Sequence, residues 1–268
     1  MNDRLITLVD NCVYGRALRA EHGLSIYIEK DDHRILFDTG ASDLFIQNAR
    51  LLHVDLRQVD CLILSHGHSD HTGGLHDFLK YNTKAKVICK QGIFNRKFKG
   101  ERENGMKNIL DLDYSRFEFV KDTEEVVPGL YVIPDLKITN EADTHFSCFQ
   151  VLRDGQLLPD RFEDELAVVM AKGNDLTVLS ACSHRGITNI LESVKKVFPD
   201  KQLKLVVGGY HIHLAGTEKS DLIAEYFQHF PECRIGVCHC SGVDQFAHLY
   251  ARLGDRVFYN HVGLISPF

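Results

Sequence analysis

The sequence predicts one α/β domain over residues 1–268, with sheet packed on sheet and helices outside. Three observations carry this prediction. Short apolar runs suited to strands recur at both ends of the chain, with helix-like stretches between them. With 268 residues, 44% of them hydrophobic, the chain has material for one large core or two small ones. Neither a linker nor an internal repeat interrupts the pattern.

In chain order, "RLITLV", "LSIYIE", "RILFDTG", "DCLILSH" and "AKVICK" read as strands. "SDLFIQNARLL" reads as a helix, with Ser42 as its N-cap and Leu44, Phe45, Ala49 and Leu52 at helical spacing. "GGLHDFLKYN" is a second helix-like stretch. Residues 92–160 are less regular, rich in charge and turn residues, and read as an insertion or lid that includes "FEFV" and "LYVIPD". Beyond it, "ELAVVMA" and "LTVLSAC" form a hairpin turning at "KGND". "RGITNILESVKKVF" is an amphipathic helix, "LKLVVGG" a strand, and "TEKSDLIAEYFQHF" a helix capped by Thr217. "RIGVCHC" is a strand, "VDQFAHLYARLG" a helix stopped by Gly254, and "RVFYN" ends the pattern.

Composition narrows the function. The 31 basic and 37 acidic residues give a net charge of −6, with no block of like charges. A broad basic surface for nucleic acid is therefore disfavoured. Lys86, Lys90, Arg96, Lys97, Lys99 and Arg102 make one stretch locally basic. A solvated surface loop is the favoured reading, with an anionic small-molecule substrate or partner as the alternative. No apolar run approaches the roughly 18 residues of a membrane span, and no export signal is visible at "MNDRLITLVD", so a cytoplasmic protein is expected. The eight cysteines are then expected to be reduced, with Cys61 and Cys89 as small core residues. Cys233, Cys238 and Cys240 lack the paired spacing of a zinc ribbon.

The chemistry concentrates in "SHGHSDHTGG", which follows the apolar run "CLIL". His66 and His68 are two residues apart, so in an extended chain their imidazoles point the same way and converge on one cation. Asp70 and His71 follow where the chain turns into the next helix, and are placed to meet a second cation. Imidazole nitrogens with a carboxylate oxygen suit zinc, and also iron, manganese or nickel.

These residues resemble the HxHxDH signature of the metallo-β-lactamase superfamily, and "ILFDTG" resembles its earlier aspartate motif. "EHGLSIYIE", "ILFDTGAS", "LSHGHSDHTGGL", "LSACSHRGITNIL", "VVGGYHI" and "CHCSG" occur in the order seen in a narrower subgroup. That subgroup is similar to the dihydropterin–ribofuranosylaminobenzene 5′-phosphate synthases, whose bacterial relatives are usually called metal-dependent hydrolases. The resemblance covers nearly the whole chain and is weakest in the middle section. It implies a four-layered αββα sandwich with two divalent metal ions, zinc first. Carried over, His66 and His68 hold the first metal and Asp70 and His71 the second. His239 completes the second site and His184 the first. Asp38 is expected to orient a ligand histidine or the metal loop. His211 is expected at the substrate or behind the ligands first and as a ligand second, and His22 is expected to reach the cleft from the N-terminal loop.

One departure stands out. Many superfamily hydrolases carry a bridging aspartate at the end of the strand that here reads "LTVLSAC". This chain has Cys182 and Ser183 there. The metals are then bridged by water alone, or Cys182 coordinates as a thiolate.

Two cations close together lower the pKa of a bound water and polarise a carbonyl or phosphoryl oxygen. Asp70 is the candidate catalytic group, orienting that water and carrying its proton. A metal-dependent hydrolase of an ester, phosphodiester or related bond is the first expectation. A transferase joining a pterin diphosphate to a ribosylaminobenzene phosphate is the second. A diiron oxidoreductase and a metal-bound sensor are further alternatives. The substrate and the oligomeric state are not legible.

Overall fold

Branched and aliphatic side chains dominate the short runs, and all of those runs are extended. The computed structural model describes residues 3–268, in two compact units. One takes the chain up to Val120 together with Phe146–Asp164 and His261–Phe268; the other takes Lys121–His145 and Glu165–Asn260.

The first unit is built on a seven-stranded sheet. Its strands run Ile265–Pro267, Arg4–Val9, Ser25–Lys30, His33–Phe37, Cys61–Ile63, Lys86–Cys89 and Phe117–Phe119 across the sheet. The first four pair antiparallel and the rest parallel. Phe37 lies beside Ile63, and Ile63 beside Ile88, so the carboxyl ends of the parallel strands are level. That level edge is where open parallel sheets place ligands. The helix Leu44–Leu51 buries Leu44, Phe45 and Ala49 in a core with Leu36, Leu62, Phe78 and Val87. A four-stranded sheet, in the order Gln156–Pro159, Phe149–Arg153, Lys97–Lys99 and Arg102–Glu103, belongs to the same unit.

The second unit repeats the plan. Its strands run Val257–Tyr259, Arg234–Val237, Gln202–Gly208, Asp175–Leu179, Ala167–Lys172, Leu130–Ile133 and Glu124–Val127 across the sheet. The first four are parallel and the last three pair antiparallel. Leu179 sits beside Val207, and Gly208 beside Val237, so three strand ends are again level. The helix Ile187–Val197 buries Ile187, Ile190, Leu191 and Val194, the one-sided spacing expected of an amphipathic helix.

The expected hairpin at "KGND" forms, with Lys172 opposite Asp175. Gly254 stops its helix with φ 70°, a left-handed conformation that glycine adopts without strain. Cys61 and Cys89 are buried, and burial pushes both thiols up to about 12.

Three expectations need correction. The N-cap of Leu44–Leu51 is Asp43; Ser42 stands one residue earlier, where its hydroxyl donates to Glu21 and accepts from the Leu44 amide. Thr217 is the first residue of its helix and Gly216 the cap, because no Thr217 side-chain bond caps the orphan amides. The basic stretch is not simply a solvated loop, because Lys97 is buried between two carboxylates. Within residues 92–160, Phe117–Phe119 closes the edge of the first sheet, Glu124–Val127 and Leu130–Ile133 lie at the edge of the second, and Lys97–Lys99, Arg102–Glu103, Phe149–Arg153 and Gln156–Pro159 form the small sheet. Among the described residues, no helix is long and apolar enough to cross a membrane.

Candidate metal centre

The predicted ligands divide between the two units. His66, His68, Asp70 and His71 lie in the first, immediately past the strand Cys61–Ile63. His184, His211 and His239 lie in the second, past the strands Asp175–Leu179, Gln202–Gly208 and Arg234–Val237. Each candidate therefore stands on the level carboxyl edge of its own sheet.

In the first unit, the ring of His66 is 4.8 Å from that of His68 and 4.4 Å from that of His71. All three are buried. The i, i+2 convergence of His66 and His68 is thus present. His71 comes as near as His68 does, so ring spacing alone does not separate two metal pairs.

Asp38 organises this cluster. Its backbone sits at φ 57°, and its amide donates to the Ile63 carbonyl of the neighbouring strand at 3.0 Å. One carboxylate oxygen accepts from the Ser65 amide at 2.8 Å. The other accepts from the Ser65 hydroxyl and from His71 Nδ1, each at 2.7 Å. Ser65 Oγ also contacts His66 Nδ1 at 2.9 Å. A hydroxyl has one proton, and here the carboxylate takes it. The bond from His66 must then run Nδ1–H to Ser65 Oγ. Both His66 and His71 are consequently held as the tautomer whose Nε2 carries the lone pair.

Protonation favours the same state. Burial, with the neighbouring His71 and His68 rings, holds His66 well below the ordinary imidazole value. Burial brings His68 down to about 3. These are neutral imidazoles at pH 7, the form that binds a cation. The donor set therefore fits a metal ion.

Two further features hold the loop. Gly67 lies between His66 and His68, and a Cβ there would meet the Ile93 carbonyl oxygen at 2.4 Å. Its amide donates to Asp164 at 2.8 Å. Asp164 in turn accepts from Lys97 Nζ at 2.8 Å, and Asp160 accepts from the same nitrogen at 2.6 Å. This buried ion triad sits beneath the motif. Phe162 stacks its edge 5.2 Å from His68 and receives Lys97 over its face at 4.9 Å.

Asp70 is partly exposed. Its carboxylate lies 3.9 Å from His71 Nε2 and 3.2 Å from His22 Nε2. The Asn11 amide contacts His22 Nδ1 at 3.1 Å. With Nδ1 accepting, Nε2 is the donating atom, and it points at Asp70. His22, from the segment before the strand Ser25–Lys30, thus stands beside the carboxylate of the motif.

In the second unit, donor atoms of Cys182, His184 and His211 lie within 4.8 Å of one another, as do those of Cys182, His239 and Cys240. The His184 and His211 rings are 4.3 Å apart. Ser183 is not part of that donor set: its hydroxyl donates to the Gly209 carbonyl at 2.7 Å and meets Ser180 Oγ at 2.7 Å. It ties two strand ends together.

Backbone strain marks the same positions. Among the described residues, eleven non-glycine residues have positive φ, and Asp38, Ser183, His211 and His239 are four of them. Such conformations cost of order 1 kcal/mol or more and persist where surrounding structure enforces them, commonly at functional sites.

Some supporting residues are not visible in the sequence. Glu165 accepts from the amides of His184 and Arg185 at 2.7 and 2.8 Å, fixing the turn that carries His184. His145 is buried, and burial lowers it to about 3; its ring lies 5.7 Å from His211. Lys97, Asp160 and Asp164 are the other omission. None of them carried a clear signal, because Lys97 stands in the basic stretch, His145 among polar residues, and Asp160, Asp164 and Glu165 in the charged run "DRFEDE".

Comparison with known proteins settles the family. Residues 18–156 match the model of the metallo-beta-lactamase superfamily. The chain belongs to the metallo-β-lactamase superfamily. An uncharacterised protein of Methanocaldococcus jannaschii is 30% identical over 264 residues, covering 96% of this chain and 97% of that protein. A second protein of the same organism, named as 7,8-dihydropterin-6-methyl-4-(beta-D-ribofuranosyl)-aminobenzene-5′-phosphate synthase, is 27% identical over 293 residues, covering 100% of this chain and 97% of its own. Among solved structures, a metal-dependent hydrolase of the beta-lactamase superfamily matches with a TM-score of 0.87 and 28% identity, over 99% of both chains. The fold is the one the motifs implied, and the histidine clusters fit its metal-binding character.

Proposed function

We propose that this chain is a metal-dependent hydrolase, with a dinuclear site acting on an ester, phosphodiester or related bond of a small anionic substrate in the cytoplasm. The observation that carries this reading is the Asp38–Ser65 network. It fixes two buried imidazoles with Nε2 as the ligand atom beside a partly exposed carboxylate. The likeness to a 28% identical metal-dependent hydrolase supports it.

In this reading His66, His68 and His184 would hold one cation, and Asp70, His71 and His239 the other. That pairing follows the family pattern. When bound, two divalent cations, zinc first, supply a water of lowered pKa and polarise the oxygen of the scissile group. The chain's own residues do the rest. Asp38 and Ser65 keep the ligand tautomers fixed. Asp70 orients the water and accepts its proton. His22, whose side chain is 65% exposed, donates its Nε2–H to Asp70 across 3.2 Å and holds that carboxylate in place.

A second reading is favoured by one specific likeness, the 27% identical relative named as a synthase of pterin chemistry. Under it the same centre would stabilise a departing diphosphate rather than activate water. A zinc- or manganese-loaded sample separates the two. Phosphodiester turnover that disappears in His66→Ala supports the hydrolase. Diphosphate release from a pterin diphosphate, only when a ribosylaminobenzene phosphate is present, supports the transferase and overturns the hydrolase. Turnover that survives His66→Ala contradicts both.

A further inference from the structure

We infer that Cys182 is a metal ligand, forming with His184 and His211 a sulfur–nitrogen–nitrogen set for one cation, at the position where many superfamily members carry an aspartate. This rests on the metal-centre reading above and sharpens which cation it takes.

The three donor atoms lie within 4.8 Å of one another, a spacing one cation spans. Cys182 and His184 are buried, and His211 is half-buried. His184 is oriented for the role. Its amide is held by Glu165, and its Nδ1 faces the His145 carbonyl at 3.4 Å, which directs Nε2 the other way. His211 is presented by a left-handed backbone at φ 50°, past the strand Gln202–Gly208.

The nearby Cys240 competes for this assignment, and its bonds decide against it. Its thiol donates to the Cys182 carbonyl at 3.6 Å and accepts from the His211 amide at 3.3 Å. A sulfur that donates keeps its proton. Cys240 also packs where a Cβ on Gly209 would meet it at 2.6 Å, so it is wedged between the two ligand-bearing turns. It positions Cys182 and His211 through their backbones. Among the described residues, no cysteine other than these two joins a group of three or more metal-type donors.

Coordination replaces the Cys182 S–H bond with a sulfur–metal bond and releases the proton to solvent. A thiolate with two imidazoles selects thiophilic cations such as zinc, cobalt or ferrous iron over magnesium or manganese.

The full chain, stripped of metal and titrated anaerobically with Co(II), provides the test. The wild type and Cys240→Ser are expected to develop a near-ultraviolet thiolate-to-cobalt charge-transfer band. Cys182→Ser is expected to lose it. Cys182→Asp, which keeps a donor in place, is expected to bind the wild-type amount of cobalt without the band. Cobalt bound by the wild type with no such band would overturn the inference and leave the metal centre standing. A band that survives Cys182→Ser would overturn it as well. Failure of the wild type to bind cobalt at all would overturn both readings together.

Discussion

Asp38 serves two imidazoles with one carboxylate, directly through His71 and by way of Ser65 through His66. Outer partners of this kind commonly account for about 10–100-fold in metal affinity. Ser65→Ala and Asp38→Asn should each weaken zinc binding by roughly that factor, read by competition with a chelating dye. Unchanged affinity would remove the network from the metal centre. The aspartate was legible because "ILFDTG" puts a carboxylate at the end of an apolar run. The serine was not, since one hydroxyl in a motif full of imidazoles carries no signal until its proton is counted. The buried histidines also set a pH dependence. His68 and His145 stand at about 3 in the folded chain, against an ordinary 6.5. Below 6.5 the unfolded chain binds more protons than the native one. Their contribution is therefore complete above about pH 6.5 and falls as the pH drops toward 3, each by up to about 1.4 kcal/mol per pH unit. Urea midpoints of chelator-treated protein should drop between pH 7 and 4.5. A flat profile would show that neither imidazole is buried in its neutral form.

At the scale of elements, each sheet presents candidate ligands past the carboxyl ends of its parallel strands, and the loop that carries "HGH" is held by a buried clamp. The clamp on the "HGH" loop is the ion triad of Lys97, Asp160 and Asp164. Burial opposes the charge on Lys97, but Asp164 and Asp160 more than offset it and raise the amine above its usual value. Its charge therefore persists at any pH up to and beyond 10.5. Lys97→Met leaves two carboxylates buried without their cation, at a cost of about 3–5 kcal/mol. The triple variant Lys97→Met, Asp160→Asn, Asp164→Asn removes that uncompensated charge and should recover most of the loss, as denaturant midpoints would show. Equal destabilisation of both variants would mean that packing, not charge, is at stake. Gly67→Ala is the backbone counterpart. A methyl at 2.4 Å from the Ile93 oxygen forces the loop to shift, so metal affinity should fall even where the fold survives. The strands were readable because each is a short branched or aliphatic run between turn residues. The triad was hidden because Lys97 pairs with residues 63 and 67 positions away, and in the sequence it stands among five other basic residues. Thr217 misled for a local reason, since a threonine just before a polar helical stretch looks like a cap whether or not Gly216 takes the position.

Across the whole molecule, two similar sheets each contribute a histidine-bearing edge, and the chain passes between the two units more than once. Family and fold were legible from a few spaced motifs, because a metal-binding edge fixes residue type and spacing together. The substrate was not legible. The irregular middle section, whose strands divide among three sheets, carries no motif that would name one. If cations hold the ligands as proposed, binding stabilises the native chain by mass action, about 4 kcal/mol at a thousandfold excess over the dissociation constant. Elemental analysis of the full chain reconstituted with zinc and freed of excess is the decisive measurement. About two equivalents are expected for the wild type, as in two-metal hydrolytic sites, and clearly fewer for His66→Ala. A wild-type chain that retains no metal, or a His66→Ala chain that retains as much as the wild type, would contradict the metal centre itself.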